Sequence, residues 1–149
     1  MLDRKNLLQS RQIKELREME LLARQTVLAQ ALEAEQHSED AERDAERGVV
    51  DAHSAWSAVL ERGGFSPDLL RLNAVQIDEA IQALHGATND VEAARKHSEI
   101  QRQRCAEAQA QCDVAGKLQS DLLKRTASDR DARLEDAVSD LVTQRWRRS

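Results

Sequence analysis

Residues 63–67 read Gly63-Gly64-Phe65-Ser66-Pro67, and the reading of this stretch decides the fold. It holds the only proline of the chain and two of its five glycines. Upstream, residues 3–62 contain no proline and one glycine; downstream, residues 68–149 contain no proline and two glycines. Gly63 or Gly64 suits the left-handed conformation that closes a helix, because glycine has no Cβ to clash. Ser66 is a good N-cap, Pro67 fits the first helical position, where no N–H is needed, and Asp68 favours the positive end of the new helix dipole. The stretch therefore stops one helix and starts another. It predicts a helix over about 3–62, a turn at 63–67 and a second helix over about 68–147.

Periodicity supports two helices that pair. Beyond the turn a stripe runs Ile77, Ala80, Leu84, Ala87, Val91, Ala94, Ser98, Gln101, Cys105, Ala108, Cys112, Ala115, in steps that alternate strictly between three and four. This is a coiled-coil seam. Before the turn a thinner stripe runs Ala41, Ala45, Gly48, Ala52, Ala55, Val59, with a bulkier continuation upstream through Ile13, Leu16, Ala23, Val27 and Leu28. No segment alternates as a strand does. The fold class expected is all-α, a long antiparallel two-helix coiled-coil hairpin. Placing Ala52 opposite Leu84 sets Ala45 against Val91 and Val59 against Ile77, small residues against larger ones. After Ala115 the strict spacing is expected to lapse, through Leu118 and Leu122, before Leu134, Val138 and Leu141. In this pairing everything past about residue 133 lacks a partner. The alternative is a break near Asn73 or Gly86 that folds residues 67–85 back at the tip and equalises the arms.

Composition agrees with long solvated helices. Charged residues make up 33% of the chain and aromatic ones 2%, so a thick mixed core is excluded. Apolar residues, mostly Ala and Leu, make up 40%. That proportion, with so little proline, argues against disorder. The net charge of −5 does not suggest a nucleic-acid binder. Its distribution is uneven: eight acids and two bases lie in residues 33–51, whereas residues 1–24 and 101–149 are mildly basic. The N-terminal stretch is charged throughout and no stretch is apolar enough to span a bilayer, so a cytoplasmic protein with reduced cysteines is expected.

Catalytic signatures are absent. There is no Walker-type loop, no GxGxxG and no HExxH. His37, His53, His85 and His97 share no ligand spacing. Cys105 and Cys112 are seven apart on one helix, about 10 Å between Cα atoms, too far for a disulfide within that helix. Both are expected as buried small residues of the seam. Trp56 should pack near the tip, and Phe65 either plugs the helix ends or makes a contact. No enzyme activity, cofactor or metal is expected.

The chain resembles the FliJ/YscO family, small stalk proteins of flagellar and type III secretion export machines. The resemblance covers the whole chain: about 60 helical residues from near the first methionine, a short Gly/Ser turn and a longer second arm. Its most specific local part is Asn73-Ala74-Val75-Gln76-Ile77-Asp78-Glu79-Ala80-Ile81, followed at the end of the chain by the charged, amphipathic Asp140-Leu141-Val142-Thr143-Gln144-Arg145-Trp146. The family's flagellar members carry more aromatic residues after the turn than this chain does, which favours the injectisome branch. The resemblance implies a non-enzymatic component, cytoplasmic and peripheral to the inner-membrane export apparatus. It would bind a hexameric export ATPase and couple it to the export gate or substrate chaperones, without nucleic acid or membrane insertion.

On this reading the ATPase side comprises Leu134, Val138, Leu141, Val142, Arg145, Trp146, Arg147 and Arg148. The residues themselves fit, since an apolar stripe with basic neighbours suits a partner socket. The gate or chaperone side would involve Phe65, Ile77 and Ile81. The bland alternative for the last stretch is pairing with residues 3–13 or fraying. The competing functional class is a scaffold coiled coil that self-associates. A hairpin factor acting on RNA polymerase would need an anchoring domain for which this chain has no residues to spare.

Overall fold

The computed structural model describes residues 2–63 and 66–148, and two helices account for nearly all of them. Helix α1 spans Leu2–Glu61 and α2 spans Pro67–Arg148. They pack against each other as an all-α helical hairpin, with no strand among the described residues. Helix α2 passes Asn73 and Gly86 without a break.

The turn is built as its residues dictate. Gly63 adopts φ +70°, the left-handed region, and its N–H donates to the Leu60 carbonyl at 3.4 Å. This closes α1 in the manner of a glycine C-cap. On the other side the Ser66 carbonyl accepts the first helical bond of α2, from Leu70 N–H at 3.1 Å. Pro67 follows as the first helical residue.

Along α2 the buried and half-buried positions keep the alternating three-and-four spacing from Leu70 to Thr126. The seam is thus longer than expected at both ends. Asn73 and Leu70 extend it toward the turn; Gln119, Leu122 and Thr126 carry it past Ala115 in the same phase. Its chemistry changes after Ala115, not its spacing. Along α1 the corresponding positions include Leu7, Ser10, Lys14, Arg17, Leu21, Leu28, Ala31, Glu35, Ala45, Ala52, Trp56 and Val59. Leu28, Ala45, Ala52 and Val59 were expected there. Ala41 and Ala55 are exposed, as are Ile13, Leu16, Ala23 and Val27. These exposed residues sit one position away from the seam, a rotation of roughly 100° around the helix. Gly48 is half-buried, but a Cβ added there would meet nothing within 4 Å, so no close approach demands glycine.

The chain divides into two compact units. In the unit Gln25–Arg104, Arg95 reaches across to Glu39 at 3.3 Å and to Glu35 at 4.0 Å. With only residues 62–66 between the helices, Glu61 and Pro67 come level, which sets the register about one heptad from the expected one. Ala52 comes level with Ile77, not Leu84; Ala45 with Leu84, not Val91; Val59 with Leu70, not Ile77. Small still meets large. Ala31 and Ser98, 4% and 3% exposed, also come level in this unit. Ser98 is tolerated because its hydroxyl donates to the Arg95 carbonyl of its own helix at 3.0 Å.

The second unit comprises Met1–Arg24 and Cys105–Ser149. Its buried apolar residues are Ala108 and Ala115, and Ser10 is buried with its hydroxyl donating to the Leu7 carbonyl. Arg17 crosses to Gln111 at 2.9 Å, and Lys14 lies along the seam with its ammonium near Glu18. Long aliphatic stems thus cover the seam while their charges reach water. Cys105 and Cys112 are free and half-buried, not buried as expected. Among the described residues no large side chain is fully buried.

Candidate functional site

The end of α2 departs from the rest of the helix. Continuing the seam spacing past Thr126 leads to Asp129, Arg133, Asp136 and Asp140. Carboxylates and guanidiniums at seam positions cannot bury against an apolar partner without large desolvation costs. Every described residue from Ala127 onward is exposed. The Arg17–Gln111 bond gives the reason: counted back from that level, α1 begins opposite about residue 127. The uncovered stretch therefore starts earlier than the residue 133 expected.

On this stretch Leu134, Val138 and Leu141 form an apolar stripe, offset by one residue from the seam positions Arg133 and Asp140. Leu134, Val138, Leu141 and Val142 are 57%, 58%, 66% and 52% exposed. Trp146 is 80% exposed. Arg145, Arg147 and Arg148 occupy the last turn, where cations also complement the negative end of the helix dipole.

Neighbouring residues that the sequence analysis did not single out join this end. Arg4 and Leu7 of α1 line a cleft with Asp129, Arg130, Arg133 and Leu134 of α2, about 500 Å³ in volume. A second groove continues from Arg4 and Leu7 to Leu8 and Leu123. Arg4, Leu7, Leu8 and Leu123 carry no linear motif; only pairing of the helices brings them beside residues more than a hundred positions away.

The gate-side residues are distributed differently. Ile77 is half-buried in the seam, level with Ala52, while Ile81 is 38% exposed. Exposed apolar side chains nearby are Leu69, Leu72 and Val75. Phe65 lies outside the described residues. The four histidines are exposed. Among the described residues no group of three or more His, Cys, Asp or Glu side chains is placed to hold a metal ion, and no helix is long and apolar enough to cross a membrane.

Comparison with family models, with curated proteins and with solved structures finds no match to this chain.

Proposed function

We propose that the chain is a non-enzymatic stalk component of a type III secretion export apparatus, working in the cytoplasm at the inner-membrane export machinery. The end bearing both termini would enter the central opening of a hexameric export ATPase and raise its turnover. The export gate and substrate chaperones are the further partners of this reading. The observation that carries it is the uncovered apolar stripe of Leu134, Val138, Leu141 and Val142, more than half exposed and flanked by arginines. A helix of this kind binds by laying apolar anchors into a groove, while its charges steer the encounter. Removing residues 134–149 is expected to abolish stimulation of the cognate export ATPase while leaving the seam, which ends at Thr126, intact. ATP turnover with and without the truncated chain is the measurement. Full stimulation by the truncated chain would sink the proposal.

One observation favours the scaffold reading instead. Ile13, Leu16 and Met19 of α1 and Val114 and Leu118 of α2 are 45–68% exposed. Such a face is suited to a second two-helix layer. Sedimentation of the purified chain separates the two readings: a concentration-dependent dimer that does not alter ATP turnover supports the scaffold.

A further inference from the structure

The cleft between the start of α1 and the end of the α2 seam is chemically specific. Arg4 from one helix and Arg130 and Arg133 from the other line it, with Asp129 as its one carboxylate. None of these three arginines makes an ion pair among the described residues. In the lining itself three guanidiniums stand against one carboxylate. Guanidinium pairs with carboxylate through two parallel N–H···O bonds, which makes it the cation of choice for planar oxyanions. Leu7 and Leu134 line the same cleft, and the adjoining groove adds Leu8 and Leu123. The lining thus combines apolar and basic side chains.

We infer that this cleft binds an acidic amphipathic helix of a partner protein, with carboxylates on Arg4, Arg130 and Arg133 and apolar side chains on the leucines. The inference rests on reading this end as the partner-facing one and names the chemistry of what it meets. Charge complementarity selects the occupant. A polyphosphate chain is disfavoured because it has no apolar group to lay on Leu7, Leu8, Leu123 and Leu134. No aromatic side chain lines the cleft to stack a base. A second copy of the chain is disfavoured as well: the apolar residues of its acidic stretch, 33–51, are Ala34, Ala41, Ala45, Val49 and Val50, none as large as leucine.

The probe is a synthetic end-blocked helical peptide with Leu and Glu at i, i+3 and i+4 on one face, titrated against the full chain by fluorescence anisotropy. Wild type is expected to bind, with affinity falling as salt rises. Arg130→Ala together with Arg133→Ala should weaken binding about tenfold or more, and replacing Glu by Gln in the peptide should do the same. Reversing the charges, Arg130→Glu with Arg133→Glu, should switch preference to the Leu/Lys form of the peptide, with helicity by circular dichroism unchanged. Absence of peptide binding, equal binding by the Ala variant, or tighter binding of a poly-dT oligonucleotide would each overturn the inference. ATP turnover keeps the two ideas apart. If the arginine variants stimulate the ATPase as wild type does, the cleft is unused but the stalk reading stands. If the peptide binds through the arginines and the wild-type chain never stimulates, the cleft stands and the stalk reading falls.

Discussion

Ala31 and Ser98 show what a single position contributes to this fold. Both are nearly sealed and come level on the two helices, so neither has free space beside it. Ala31→Leu has nowhere to put its added carbons without pushing the helices apart. It is expected to destabilise by about 1–3 kcal/mol, read as a lower midpoint in urea. A raised midpoint would mean that the helices do not meet as described. Gln101 makes the opposite case. It is 5% exposed, and its buried Oε1 has no hydrogen-bond partner. An unsatisfied buried polar atom costs about 1–3 kcal/mol, so Gln101→Leu should raise the melting temperature. A fall would show that Gln101 has a polar role the seam depends on, as single polar residues in coiled-coil seams do when they set register. Arg95 carries less. Its side chain is 60% exposed, so Arg95→Ala is expected to cost no more than about 1 kcal/mol despite two bridges.

At the scale of the element, α2 is two helices in one. From Leu70 to Thr126 it has one face against α1; from Ala127 to Arg148 it has none. Helices gain most of their stability from tertiary burial, and an isolated segment of this length is marginal in water. Amide hydrogen exchange should therefore be much faster across residues 130–145 than around Val91–Ala115. Equal protection would mean that the end is covered in solution, by self-association or by a bound partner. For α1 the element-scale lesson concerns phase. Bulky Ile13, Leu16 and Met19 are exposed, while Lys14 and Arg17 lie on the seam. The segment from Ala31 to Val59 fits α2 in one phase only, and a continuous heptad spacing carries that phase back to Leu7.

At the scale of the whole molecule, the most deeply buried apolar side chains are small, and the larger ones on the seam stay half-buried. The buried apolar residues are Ala31, Val91, Ala108 and Ala115. At about 25 cal/mol per Å² of apolar area, an alanine seam stabilises little. The intact protein is expected to be strongly helical by circular dichroism yet to melt at modest temperature; a hyperstable chain would point to burial by a second copy. The functional test at this scale separates anchors from charges. Leu141→Asp should weaken partner binding at every salt concentration. Replacing Arg145, Arg147 and Arg148 together should matter mainly at low salt, because exposed charges more than about 10 Å apart are screened at 0.1 M. Equal salt dependence for the two variants would contradict this division.

The turn, the two helix spans and the α2 stripe were legible in the residues alone. Capping at Gly63, Ser66 and Pro67 acts within a few bonds, and a stripe that alternates three and four for many turns admits one face. The apolar stripe Leu134, Val138, Leu141 was legible for the same reason, and the charged seam positions Asp129 and Arg133 mark its boundary in the sequence itself. Pairing decided the rest. Helix α1 carries two candidate stripes one residue apart, and local periodicity weighs bulk, so it favoured Ile13 and Leu16. The choice between them is a sum over contacts with α2, where the small residues around Ala31 and Ala45 fit and the bulky ones do not. The register is likewise a tertiary quantity, since two pairings a heptad apart present equally apolar faces until a short turn permits only one. The basic cleft exists for that reason: Arg4 gains Arg130 and Arg133 as neighbours only because the register brings the start of α1 to the last turns of the α2 seam.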